Sequence, residues 1–189
     1  MKRIVVTGTG RAGTSLLMQL FTHLGMPTGF TQEDIEKIQK RKCRAGLERQ
    51  SFKKNVEIIK HPILTDQVSK MERLDHVIIP IRNLIDSAKS RVKQGINREG
   101  EPIVHGGVWQ GATDHSSQVK YNAELIYTLM YDLSDSNIPF TFIQFPKFSQ
   151  DPGYLWSKLD WLFDEYSIKK NKFNESHKLV VKEEFISKF

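Results

Sequence analysis

The chain has 189 residues and 21.9 kDa, 39% hydrophobic and 26% charged, which fits one domain with a sizeable core and excludes a disordered or fibrous chain. Its 28 Lys and Arg against 22 Asp and Glu leave +6 and an isoelectric point near 9.3, a balance that favours an anionic ligand without separating a nucleotide from nucleic acid or an acidic surface. A single cysteine, Cys43, excludes a disulfide framework and a zinc site of several thiolates. No apolar run reaches the roughly 20 residues of a membrane span. The apolar stretch behind Met1-Lys2-Arg3 ends at Thr7-Gly8, too short for a signal-peptide core, so a cytoplasmic protein is expected.

Short β-branched runs alternate with amphipathic stretches. Residues 3–7 read as a buried strand closed by glycines, and Leu16, Leu17, Leu20, Phe21 and Leu24 then recur at helical spacing up to a C-capping Gly25. Residues 31–54 are polar, strongly charged and partly helical. Strands follow at 56–60 and 76–81, and a helix at about 84–94. Residues 95–117, with five glycines, His105, His115 and Trp109, lack periodicity. Val119, Ala123, Ile126, Met130 and Leu133 trace one face of a longer helix. A fourth strand at 140–145 precedes a helix whose inner face is Leu155, Leu159, Leu162 and Phe163. This alternation predicts a single domain over 1–189, an α/β three-layer domain with a central, mostly parallel sheet of four or five strands. The connections at about 31–54 and 95–117 would overhang the carboxyl edge of the sheet, where ligands of such folds sit.

The first strand runs through Gly8-Thr9-Gly10-Arg11-Ala12-Gly13-Thr14-Ser15 into the first helix. Glycines permit a tight turn with inward N–H groups, and the helix N-terminus adds partial positive charge, which together suit phosphate or sulfate. In the nucleoside-triphosphate pattern G-x-x-x-x-G-K-[ST], Gly8 and Gly13 keep the spacing, but Thr14 stands in place of the lysine and the cation is Arg11, inside the loop. The third and fourth strands end in Pro80-Ile81-Arg82 and Phe145-Pro146-Lys147, without the carboxylate that usually helps to hold magnesium in a kinase or ATPase. Arg11, Lys60, Arg82 and Lys147 make a basic carboxyl edge instead, suited to a group less charged than a phosphoryl, such as a sulfuryl.

These residues resemble the sulfotransferase family. Gly8 to Leu17 looks like the loop with which sulfotransferases hold the 5′-phosphosulfate of 3′-phosphoadenosine 5′-phosphosulfate (PAPS), and the position of Arg11 is there a lysine or arginine on the transferring group. Ile79-Pro80-Ile81-Arg82, with Ser90 eight positions on, is similar to the family's 3′-phosphate motif, although Asn83-Leu84-Ile85 lacks the proline common after that arginine. Ser87 is a rival to Ser90. Phe145 to Pro152 resembles a strand–loop–Asp-Pro–helix segment of the family. The likeness spans residues 3 to 167. It implies a P-loop domain and a PAPS-dependent sulfotransferase acting on a hydroxyl or amine acceptor by in-line transfer without a metal, with Gly10, Arg11, Ala12, Gly13, Thr14, Ser15, Arg82 and Ser90 on the donor.

Sulfuryl transfer needs a base for the acceptor and positive charge where the leaving phosphate develops its own. Arg11 and the loop amides supply the charge. Lys60-His61 ends the second strand, where cytosolic sulfotransferases carry Lys-Thr-His, so Lys60 and His61 are expected to serve the reacting centre with Arg11, and His61 is the leading base, displaced by one residue from the family order. Glu33, Asp34, Glu48, His105, Asp114 and His115 are the other candidates, and a histidine merely capping the strand is the structural alternative. Trp109 can stack on an acceptor ring or anchor its loop, while Trp156 and Trp161 read as packing residues. The basic run Lys37, Lys40, Arg41, Lys42, Arg44 and Arg49 is either a solvated helix face or an attractor for an anionic acceptor such as a glycan, or for a membrane surface. Nothing in the chain matches a nucleic-acid-binding motif. The chain is short for a sulfotransferase, so a homodimer is one way to complete the acceptor pocket. The alternatives are a nucleotide or metabolite kinase with an atypical phosphate loop and a non-catalytic nucleotide-binding protein.

Overall fold

A computed structural model describes residues 1–40, 46–61, 68–71, 73–95 and 114–181. Four strands, β1 (Ile4–Val6), β2 (Ile58–Lys60), β3 (His76–Ile81) and β4 (Phe140–Gln144), form one sheet in the order β2-β1-β3-β4. Every neighbouring pair is parallel; Val5 lies opposite both Ile59 and Val77, and Ile79 opposite Phe142. The helices are α1 (Thr14–His23), α2 (Gln32–Gln39), α3 (Leu84–Gly95), α4 (His115–Asp135), α5 (Lys147–Gln150), α6 (Pro152–Glu165) and α7 (Lys170–Val180). The expectation of an α/β chain with a mostly parallel sheet therefore holds, at four strands among the described residues.

The strands are apolar along their length because both sheet faces are covered. Ile4, Val6, Ile58 and Ile78 turn one way, onto Leu17, Met18 and Phe21 of α1 and Leu155, Leu159, Leu162 and Phe163 of α6. Val77 and Ile79 turn the other way, onto Leu129 and Leu133 of α4 and onto Val68. Strand alternation puts Lys60 on the α1 face with Ile58, two residues along. Trp156 packs on Phe163 and Phe173 at centroid distances of 5.0 and 5.2 Å, and Trp161 on His76 at 4.0 Å, the packing roles read from the sequence.

Gly25 follows α1 with φ +80, and its N–H donates to the Thr22 carbonyl at 3.0 Å, as the C-terminal glycine reading requires. The face expected for α4 is corrected. Its buried positions are Gln118, Asn122, Leu129 and Leu133, while Met130 is 51% exposed and Ala123 is also exposed. The buried stripe keeps helical spacing, but polar Gln118 and Asn122 occupy its first half, where the helix packs on α3 and Asn122 meets Ser87. α7, absent from the sequence reading, packs Phe173 into the core, and Lys172 Nζ donates to the Leu24 carbonyl at 2.9 Å.

Candidate functional site

The loop between β1 and α1 crosses the carboxyl end of the sheet, and its shape follows from its glycines. Gly10, Arg11 and Gly13 have φ of +72, +55 and +83, left-handed positions of the kind that shape anion-binding loops. Space also requires glycine. A Cβ on Gly8 would lie 3.1 Å from the Pro80 carbonyl oxygen, one on Gly10 2.9 Å from Arg91 Nη2, and one on Gly13 2.6 Å from Phe148 Cζ and 2.7 Å from Phe145 Cδ2. Phe145 and Phe148, both buried, brace the loop where it enters α1.

Three guanidinium groups gather around this loop. Arg11 Nε donates to Ser90 Oγ at 3.2 Å. Arg82 Nη1 donates to the Arg11 carbonyl at 3.2 Å, and its guanidinium lies 5.1 Å from the Phe145 ring centroid. Arg91, only 3% exposed, donates from Nη2 to the Thr9 carbonyl. Burial pushes Arg91 down to about 9, with Arg11 adding to the effect; burial and Arg11 lower Arg82 too, against the opposing pull of Asp86. Cations that raise each other's energy in this way gain most from an anion of more than one charge. Ser87, the rival of Ser90, also faces the loop: its Oγ donates to the Gly10 carbonyl at 3.3 Å, while Ser90 Oγ accepts from Arg11. Asn122 of α4 donates from Nδ2 to Ser87 Oγ at 3.4 Å, which explains the polar half of that helix.

On the other side of the loop, the end of β2 brings Lys60 to the start of α1. Its ammonium, 1% exposed, donates to Ser15 Oγ at 2.9 Å and to the Gly46 carbonyl at 2.5 Å, and pairs with Glu48 at 3.2 Å. Ser15 Oγ in turn donates to the Gly46 carbonyl at 3.2 Å. Residues 46–49 run against β2, held by the Arg49 N–H on the Lys60 carbonyl at 3.1 Å and by Leu47 in the core, which delivers Glu48 to this corner. His61 continues the ladder: its N–H donates to the Val6 carbonyl at 3.0 Å, and its carbonyl accepts from Thr7 Oγ1 at 2.9 Å. Its buried Nδ1 makes no hydrogen bond to the described residues. Burial lowers the His61 pKa, Glu48 raises it and Lys60 lowers it, so the imidazole is neutral near pH 7 and able to take a proton.

The structure thus brings together Gly10, Arg11, Ala12, Gly13, Thr14, Ser15, Lys60, His61, Arg82, Ser90 and Glu48 at one edge of the sheet. Other candidates fall elsewhere. Asp34 accepts the Thr31 N–H at 2.9 Å in a capping box that starts α2, and Glu33 pairs with Lys37 at 2.7 Å. Asp114 caps α4 by accepting the Ser117 N–H at 2.8 Å, and His115 is exposed beside it. Arg49 leaves the basic run, since it donates to the Thr28 and Gly29 carbonyls and stacks 4.3 Å from the Phe30 centroid. Lys147 turns to the Tyr154 ring, 4.5 Å away. His105, Trp109, Arg41, Lys42 and Arg44 lie outside the described residues.

The sequence reading missed Arg91 and the aromatic brace. Arg91 carries a signal in its spacing, one turn beyond Ser87 on the same face of α3. Nothing local links Phe145 and Phe148 to Gly13. No protein-family profile matches the chain, and no curated protein matches it. Among the described residues no helix is long and apolar enough to cross a membrane.

Proposed function

We propose that the protein is a PAPS-dependent sulfotransferase whose glycine-rich loop is a phosphate loop. The observation that carries this reading is the convergence of Arg11, Arg82 and Ser90 on one left-handed loop at the carboxyl edge of a parallel sheet, the two halves of the donor motif meeting at 3.2 Å. In this reading the loop amides and Arg11 receive the 5′-phosphosulfate, and Arg82 and Ser90 the 3′-phosphate. Arg11 leaves Ser90 when the donor enters, so that each takes its own anion.

The reaction breaks the bond between sulfur and the bridging phosphate oxygen and forms one from sulfur to the acceptor oxygen or nitrogen. The bridging oxygen leaves with the electron pair on 3′-phosphoadenosine 5′-phosphate (PAP), and the acceptor proton passes to a base. His61 is the base assigned, being neutral near pH 7 and next in chain to Lys60; Glu48 is the alternative, already paired with Lys60. Buried Lys60 fixes Ser15 and the segment carrying Glu48, and adds positive charge beside the loop. No metal takes part in this scheme. The acceptor is a small molecule or glycan. Incubation with sulfur-labelled PAPS and a panel of hydroxyl and amine acceptors tests the reading: transfer that falls by about two orders of magnitude in Arg11→Ala supports it, and transfer indifferent to Arg11 overturns it. A kinase reading would be restored by ATP binding that requires magnesium and a phosphorylated product.

A further inference from the structure

Three consecutive carbonyls of the loop are each held by a side chain of the β3–α3 unit. Arg91 takes the Thr9 carbonyl, Ser87 the Gly10 carbonyl at 3.3 Å and Arg82 the Arg11 carbonyl at 3.2 Å. In a trans peptide the N–H of the next residue points opposite to the carbonyl. Drawing these three oxygens toward α3 therefore turns the N–H groups of Gly10, Arg11 and Ala12 away from α3. A glycine-rich loop left to itself samples many conformations, and fixing it costs about 1–2 kcal/mol per residue. A buried clamp meets that cost at folding rather than at ligand binding. The clamp has a specific shape: a Cβ on Gly10 would meet Arg91 Nη2 at 2.9 Å, so the guanidinium lies directly against the loop backbone. Ser87 is itself supported from α4 by Asn122.

We propose that Arg91, with Ser87, is a positioning residue that holds the loop's peptide groups in the anion-receiving orientation, acting on the backbone and without touching the ligand. This rests on the phosphate-loop reading above and extends it to residues outside the donor motif.

The test is a titration of the wild-type protein, Arg91→Met, Arg91→Lys and Ser87→Ala with PAP and, separately, with inorganic pyrophosphate, followed by calorimetry and by amide NMR of Gly10 and Ala12. Arg91→Met keeps the apolar stem and loses the donor, so both ligands should bind about tenfold or more weakly, the loss expected for a charged hydrogen bond. Arg91→Lys retains a donor and should recover most of that loss. Ser87→Ala should weaken both ligands by about threefold. The Gly10 and Ala12 amide resonances of the free protein should move in Arg91→Met and return toward wild type in Arg91→Lys. Unchanged affinity in Arg91→Met, or equal losses in the Met and Lys variants, overturns the proposal, because packing alone would then account for Arg91. Should Arg91→Met fail to fold, Ser87→Ala decides, and wild-type affinity and amide shifts there overturn it. Binding of pyrophosphate but not PAP, with the same dependence on Arg91, supports the clamp and refutes the PAPS reading. Binding of neither to the wild type overturns both.

Discussion

Gly13→Ala isolates the contact between the loop and its aromatic brace. Two costs apply. Gly13 has φ +83, and an L-residue held there loses about 1–2 kcal/mol. The new methyl would also sit 2.6 Å from Phe148 Cζ and 2.7 Å from Phe145 Cδ2, and neither ring has room to retreat, since Phe148 and Phe145 are 1% and 7% exposed. Overpacking of this kind costs about 1–3 kcal/mol, giving a total of about 2–5 kcal/mol. For a domain of this size each kcal/mol moves the midpoint by roughly 2–4 °C, so the melting temperature should fall by roughly 4–20 °C. Gly25→Ala is the internal control, because Gly25 has φ +80 but its Cβ would meet only Lys172 Nζ at 4.0 Å. It should lose the backbone portion alone, about 1–2 kcal/mol. Thermal unfolding by circular dichroism at fixed salt gives both values. A Gly13→Ala loss no greater than that of Gly25→Ala would refute the brace.

Other predictions concern charge. Lys60→Met should cost about 1–3 kcal/mol by removing the charged hydrogen bonds of its ammonium to the Gly46 carbonyl and Ser15 Oγ. It should also raise the His61 pKa, which burial holds down most and Lys60 lowers further against the pull of Glu48; imidazole NMR titration reads the shift, and a lower pKa would contradict the proximity. His76 is held at about 4 by burial against an unfolded value of 6.5. The unfolded chain then binds more protons between these values, so stability is full above about pH 6.5 and is lost as the pH falls toward 4. Allowing for partial solvation, the loss is about 1–3 kcal/mol. His76→Phe should flatten that limb in denaturant unfolding, and an unchanged slope would remove His76 as its cause. Asp151→Ala removes the oxygen that accepts the Tyr154 N–H at 2.9 Å at the start of α6, and should cost about 1 kcal/mol by equilibrium unfolding.

Local pattern revealed those parts of the fold that depend on local pattern. β3 has the bounds expected, 76–81, because a continuous apolar run in a central strand has no competing period. β2 is shorter than the run 56–60: the Glu57 N–H is diverted to the Pro27 carbonyl at 2.8 Å, a contact made from a distant loop. The α4 face was misread because its buried first half is polar, and the hydrogen bond from Asn122 to Ser87 is a long-range contact that no local pattern announces. At the site, the loop, Arg82 and Ser90 were legible as a spaced motif. Glu48 was one carboxylate among several until the Arg49–Lys60 backbone bond fixed its place. Arg91 drew no reading from the sequence, since its burial depends on the approach of a loop some eighty residues earlier in the chain.

The most direct test of the central claim is the binding of PAP, compared with ATP plus magnesium, by thermal unfolding at fixed salt. A ligand at 100 times its dissociation constant adds about 2.7 kcal/mol, which for this chain is roughly 5–11 °C. The account predicts a shift of that size with PAP alone, abolished in Arg82→Ala. A midpoint raised only by ATP with magnesium, or a PAP shift that survives Arg82→Ala, would contradict it.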